Sequence, residues 1–335
     1  MSSTFHPPVR TLMGPGPSDV APRVLAASAR PTIGHLDPLF VGLMDDVKRL
    51  LQYAFQTENE LTIPLSAPGS AGMEAAFVNL LECGDKVIVC QNGVFGGRMK
   101  ENVERCGATA IMVTDRWGDP VDPEKLEAAI KAHPDANVVA FVHAETSTGV
   151  RSDAETLCRL AKSAGMLVIM DAVTSLAGID LKADAWGADV VYSGTQKCLS
   201  GLPGISPITF SDDAVSAIQA RTQKVQSWFL DMNLIMGYWG EGAKRSYHHT
   251  APVNAIYALH EALLMLEEES LEASIARHQD NHVTLAAGLS KLGLDLAVSE
   301  PWRLPQLNSV LIPQGIDDAT IRARLLNEFD LEVGA

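Results

Sequence analysis

Short runs of Val, Ile, Met and Leu, separated by longer segments with helical spacing, dominate the first 210 residues. The runs are 61–65, 86–90 (KVIVC), 108–113 (ATAIMV), 137–142 (NVVAFV), 166–170 (MLVIM), 189–192 (DVVY) and 206–210 (SPITF). Their hydrophobicity is continuous rather than alternating, so as strands they have both faces covered, as in a parallel sheet between helix layers. The spacing between them predicts helices over 72–82, 94–106, 122–132 and 153–164, the last capped by Asp153 or Ser152. Strands alternating with helices predict an α/β fold, in which ligands sit beyond the carboxyl ends of the strands.

The pattern changes after Pro252. Helical spacing runs over 254–269 and 271–292, broken near Ser270 and closed by Gly293. A strand is predicted over 308–312 (NSVLI), a helix over 317–329, and the start of another strand over 331–333, where the pattern breaks off. We therefore expect a large domain over 15–252 and a smaller α+β domain over 253–335 joined by residues 1–14, with its C-terminal part missing. A chain of 335 residues suits two domains at roughly 100–200 residues each.

Composition narrows the classes. Hydrophobic residues make up 47% and charged ones 20%, an ordinary globular profile. The net charge of −15 argues against a nucleic-acid partner, which needs a clustered basic surface. An anionic ligand must instead find a local positive site. Five cysteines (Cys83, Cys90, Cys106, Cys158, Cys198) lack a C-x-x-C pair, so no disulfide framework or zinc site is expected and a reducing cytoplasm fits. The N-terminus has no apolar stretch behind a basic head, and no run nears the ~18 apolar residues of a membrane span. The adjacent His248 and His249 do not suggest a metal, because successive side chains diverge.

Three features carry chemistry. Pro68 to Gly72 (PGSAG) follows an extended run and opens a helix, where unpaired backbone N–H groups and the helix dipole can hold a phosphate without Lys or Arg. Taken alone, the cluster reads more readily as an ordinary helix cap. Asp171 ends the run MLVIM and places a carboxylate at a strand's carboxyl end, where it is expected to face a cation such as a pyridinium nitrogen. Lys197 follows ADVVYSG and stands among Gly, Ser and Thr rather than other charges, unlike a solvated surface lysine. An amine with lowered pKa there can attack an aldehyde. Together the three supply a phosphate holder, a ring-nitrogen partner and an imine-forming amine.

These motifs stand in order with others: GPGPSD at 14–19, NGVFGGR at 92–98, HAETSTGV at 143–150, DAVTSLAG at 171–178, SGTQKCL at 193–199 and YHHT at 247–250. The set, running from about Thr11 to the last residue, resembles the class V, fold-type I aminotransferases, and among them the alanine:glyoxylate and serine:glyoxylate enzymes. The resemblance implies a mostly parallel, seven-stranded sheet flanked by helices and pyridoxal 5'-phosphate as cofactor. It implies that Lys197 carries the cofactor as a Schiff base and then moves the proton between substrate Cα and cofactor. It further implies that Gly69, Ser70, Ala71 and Gln196 hold the phosphate, that Phe95 stacks on the ring, that Thr146 contacts the ring oxygen region, and that Val173 packs beside Asp171. Without it, Phe95 and Val173 are packing residues and Thr146 a turn residue. Tyr247 and Thr250 are implied to reach the neighbouring subunit's phosphate, which makes the protein a homodimer with shared sites. The implied substrates are serine or alanine and glyoxylate or a pyruvate-type 2-oxo acid.

Two departures qualify the resemblance. The cradle reads Pro68-Gly69-Ser70 where relatives often show Ser-Gly with His or Thr. The family's substrate-carboxylate arginine is expected beyond Ala335, which keeps open a cofactor-binding protein with little turnover. A ureidoglycine:glyoxylate aminotransferase is the other alternative, although those relatives tend to carry Asn at the position of Tyr247. A cysteine desulfurase lacks an evident loop cysteine, and a nicotinamide dehydrogenase lacks G-x-G-x-x-G after the first strand.

Overall fold

The computed structural model describes residues 4–240 and 245–334. Strand β1 (Thr11–Leu12) and helices α1 (Pro22–Ser28) and α2 (Pro38–Phe55) come first. Then β2 (Leu61–Leu65), α3 (Gly69–Leu80), β3 (Lys86–Gln91), α4 (Val94–Arg105), β4 (Thr109–Thr114), α5 (Pro123–Ala132) and β5 (Val138–Val142) alternate. A short hairpin of β6 (Ala144–Glu145) and β7 (Val150–Arg151) leads into α6 (Ala154–Ser163), β8 (Leu167–Asp171), α7 (Ala183–Trp186), β9 (Val190–Tyr192) and β10 (Ser206–Phe210). Helices α8 (Asp212–Gln219), α9 (Met232–Trp239), α10 (Val253–Glu269), α11 (Leu271–Lys291) and α12 (Asp318–Phe329) follow, and then strand β11 (Leu331–Glu332).

The main sheet has seven strands in the order β2-β10-β9-β8-β5-β3-β4. From β4 to β9 every pairing is parallel. Strand β10 runs antiparallel to both β9 and β2. Two reversals in succession leave β2 running with the parallel set, so six carboxyl ends share one edge of the sheet. The unbroken apolar runs have their expected cause: every residue of the central β5 is buried, as are Val168 to Asp171 of β8. Phe141 lies in β5 and is fully buried, so Phe141→Ala should destabilise the chain by about 3–5 kcal/mol through lost transfer energy and a cavity. A shift of the denaturant midpoint without a change of slope checks it.

Side chains close the helices as the spacing predicts. The Asp122 carboxylate accepts from the Glu124 amide at the start of α5. At the start of α6, Asp153 is the cap, accepting from Thr156 N at 3.2 Å, while the Ser152 hydroxyl accepts from Val121 N instead. The helix break at Ser270 is a backbone with φ 74°, and the Ser270 hydroxyl then caps Ala273. A short parallel pairing of β1 with β11 ties the N-terminal segment to the C-terminal one.

Two expectations need correction. Helix α3 begins at Gly69 rather than 72 and ends at Leu80 rather than 82. Pro68 in extended conformation is its cap, and Leu81 leaves the helix for an extended conformation. The predicted strand 308–312 is a single bridge between Leu296 and Val310, with two backbone bonds around it. Among the described residues only 295–297 pair with it, and Leu311 and Ile312 are half exposed, so β propensity finds no neighbouring strand there to extend a ladder.

Candidate active site

The shared sheet edge gathers residues far apart in sequence. Helix α3 opens just after β2, Phe95 lies four residues past the end of β3, Thr146 follows β6, Asp171 ends β8, and Lys197 follows β9. This is where an open α/β sheet leaves a crevice for ligands.

Asp171 is only 2% exposed. In register beside it, Tyr192 donates its hydroxyl at 2.9 Å, and the Val173 amide donates at 2.8 Å. Both are neutral donors, so the cationic partner expected for this carboxylate is not supplied by a side chain in hydrogen-bond contact. Burial pushes Asp171 up to about 6; the two donors pull it down, the Glu145 carboxylate pushes it up, and Lys197 pulls it down again. Burial also raises Tyr192 well above its ordinary range, so its phenol stays protonated and donates to Asp171. A buried carboxylate held by neutral donors suits an incoming N–H cation.

Lys197 is half-buried, and burial holds its amine below the ordinary lysine range. Its Nζ donates to the Pro15 carbonyl of the N-terminal loop. That loop is fastened in turn: Ser18 donates its amide to the Gln196 carbonyl and its hydroxyl to the Lys197 carbonyl. Gly16 has φ +115° and carries no Cβ; one added there would lie 2.9 Å from the Lys197 Cδ and Nζ. Gly16→Ala should therefore displace the amine and lower kcat about tenfold to a hundredfold, while the melting temperature falls by only a few degrees. Steady-state kinetics beside a thermal melt separate the two effects.

The α3 start fits a phosphate. Its cap Pro68 contributes no side-chain hydrogen bond, which leaves the Gly69 and Ser70 amides available, while the Ala71 amide donates to the Pro68 carbonyl at 2.7 Å. Gly69 packs so closely that an added Cβ would meet the Ser193 carbonyl at 3.3 Å and Val173 Cγ2 at 3.4 Å, so the cradle, Val173 and the strand before Lys197 are in contact. Gln196 has its side-chain oxygen buried without a partner, an orphan polar group beside Lys197. Phe95 is half-buried at the start of α4, and Thr146 shares a hydroxyl–hydroxyl bond with Thr174.

Glu145 is a site residue that sequence reasoning missed. It is fully buried, accepts from Phe95 N at 3.2 Å, and accepts from both the amide (3.0 Å) and the hydroxyl (2.6 Å) of Ser147. It thereby holds the residues on which Phe95 and Thr146 depend. Gly93 is its steric counterpart, since a Cβ there would lie 2.4 Å from Glu145 Cδ. The only signal in the sequence was a carboxylate inside an otherwise small-residue motif.

Tyr247 is 64% exposed and Thr250 is exposed; Tyr247 packs against the His35 ring, centroids 5.5 Å apart. Among the described residues, no hydrogen bond joins either to Lys197, Asp171 or the α3 start. Between them His249 Nε2 lies 2.7 Å from Ser66 Oγ, two residues before Pro68. His248 stacks on Trp228 at 4.4 Å, and burial lowers His249 to about 4. Among the described residues no group of three His, Cys, Asp or Glu could hold a metal.

A parallel-type sheet with a depressed lysine, a buried carboxylate and an uncapped helix start on one edge defines a pyridoxal-phosphate enzyme of the aminotransferase fold. The comparisons agree: the family model for aminotransferase class-V matches residues 23–328, and the chain belongs to that family. It is a transaminase that uses pyridoxal 5'-phosphate. Alanine–glyoxylate aminotransferase of Rattus norvegicus is 38% identical over 335 residues, covering 99% of this chain and 81% of the relative. The crystal structure of an alanine–glyoxylate aminotransferase from Nostoc sp. superposes with a TM-score of 0.98 at 44% identity, over 100% of this chain and 88% of that one. A ureidoglycine–glyoxylate aminotransferase from Bacillus subtilis gives a TM-score of 0.96 at 36% identity, over 98% and 84%.

Proposed function

We propose that this transaminase moves the amino group of alanine or serine to glyoxylate. The observation that carries the reading is the convergence of Lys197, Asp171 and the α3 start on one sheet edge; the similarity to alanine–glyoxylate aminotransferases supports the choice of substrates. Bound there, pyridoxal phosphate supplies an electron sink that acidifies the α-hydrogen of an amino acid joined to it. Asp171 holds a negative charge against the ring nitrogen. Lys197 Nζ holds and moves the proton at substrate Cα, a role for which burial has already lowered its affinity for protons. The first-turn amides of Gly69 and Ser70, with Gln196, take the phosphate, and the small Ala71 side chain leaves room for it in the same turn. Phe95 and Val173 confine the ring, and Thr146 orients its oxygen side.

The exposure of Tyr247 and Thr250 supports a homodimer in which each subunit lends these two residues to its partner's phosphate site. The scattered, unpaired cysteines support a cytoplasmic protein. Among the described residues no helix is long and apolar enough to cross a membrane. A second reading, with ureidoglycine as amino donor, is favoured by the similarity to the Bacillus subtilis enzyme.

Single-turnover visible spectra of the holoenzyme mixed with L-alanine, L-serine or ureidoglycine, followed by glyoxylate, test these readings. Alanine or serine should bleach the cofactor band, and glyoxylate should restore it with formation of glycine. A band that responds only to ureidoglycine overturns the first reading in favour of the second. Mixing Lys197→Ala with Thr250→Ala subunits should regain part of the lost activity if sites are shared; no recovery in verified mixed dimers overturns that point.

A further inference from the structure

We propose that Arg98 is a further ligand of the cofactor phosphate, an inference that rests on the pyridoxal-phosphate reading of this site. Arg98 lies one turn after Phe95 on α4. Its guanidinium carbon stands 4.7 Å from the Phe95 ring centroid, and its Nη1 donates to Ser70 Oγ at 3.3 Å. One side chain thus spans the aromatic seat and the phosphate cradle.

Two electrostatic facts bear on this arginine. In a chain of net charge −15, Arg23, Arg30, Arg49, Arg116, Arg277 and Arg324 each pair with a carboxylate. Among the described residues, Arg98 has no carboxylate at ion-pair distance; Arg151 and Arg221 lack one too but donate to backbone carbonyls, whereas the contacts of Arg98 are a neutral hydroxyl and an aromatic face. It also stands at the positive end of the α3 dipole, where a cation is disfavoured and an anion favoured. An anion placed between the helix start and the guanidinium satisfies both. A phosphate fits this geometry, since the planar guanidinium still has donors to spare beyond the one given to Ser70. The cradle carries Ala71 in its first turn and so offers no side-chain donor at that position; Arg98 supplies one from the neighbouring helix.

The test compares binding of pyridoxal 5'-phosphate and of pyridoxal, which has the same ring and aldehyde without the phosphate, to the full chain. Arg98→Gln should raise the dissociation constant for pyridoxal phosphate about tenfold and leave that for pyridoxal within about twofold. Arg98→Lys keeps the charge without the fork and should fall between. Inorganic phosphate should raise the melting temperature of the cofactor-free wild-type chain and do so much less in Arg98→Gln. Equal losses for both ligands would show that Arg98 only supports Phe95, and would overturn the proposal; so would unchanged affinity together with an unchanged phosphate response. If Arg98→Gln does not fold, the Lys variant decides: a loss confined to pyridoxal phosphate supports the proposal, and no such loss overturns it. A wild-type chain that binds neither compound would instead overturn the reading of the whole site.

Discussion

Lys197→Ala should abolish the visible band of the bound cofactor and lower kcat by at least about 10²–10⁴-fold, the range for loss of a general base alone. Losing the imine-forming amine adds to that. Borohydride reduction followed by peptide mapping should label Lys197 in the wild type and leave the variant unlabelled. The fold should survive, because the side chain is only half-buried and its Nζ has one partner, the Pro15 carbonyl. A variant that kept the visible band and more than a tenth of wild-type kcat would remove Lys197 from the mechanism. Alanine also opens space beside Gly16, so small added amines should restore part of the rate if the missing element is a proton carrier.

Asp171→Asn should lower kcat about 10²–10³-fold while the protein stays folded. An Asn oxygen can still accept from Val173 N, while its NH2 faces the Tyr192 oxygen and reverses that bond, so the shape is kept, the charge is lost and the phenol proton loses its acceptor. In the function proposed, the charge matters because Asp171 would hold the ring nitrogen in a dry environment. The same residue sets a pH effect on stability. Its carboxyl is raised from 3.8 to about 6 by burial. A raised folded value means a contribution present below pH 3.8 and lost as pH rises through about 6. The cofactor-free wild-type chain should therefore lose about 3 kcal/mol relative to Asp171→Asn across that window. Bound cofactor offers the carboxylate a cation, so the window should move to lower pH and shrink. Denaturant melts of both forms at pH 4 and pH 7 measure this; a wild type as insensitive as the Asn variant would contradict the burial argument.

Much of this site was legible before any coordinates. Continuous apolar runs marked the sheet because burial on both faces leaves no solvent side to be polar. Small residues in Pro68 to Gly72, a lone Asp after MLVIM and an isolated Lys after ADVVYSG marked functional strand ends because neither packing nor solvation explains those residues there. The strand at 308–312 failed for the converse reason: strand propensity is a property of the segment, but a ladder needs a neighbour, and among the described residues only 295–297 pair with it.

By itself the sequence determined the alternation of strands and helices and the family motifs, and it singled out Pro68 to Gly72, Asp171 and Lys197 as the candidate site. What only the tertiary structure decided is how they act on one another. The double reversal through β10 brings the β2 end, and with it α3, to the same edge as Asp171 and Lys197. Burial, absent from any local pattern, raises Asp171 and lowers Lys197. Contacts across long stretches of chain place the Pro15 carbonyl on Lys197, Glu145 under Phe95 and Arg98 beside Ser70. Charge and desolvation depend on distance in space, and sequence spacing does not encode the distances that the fold closes.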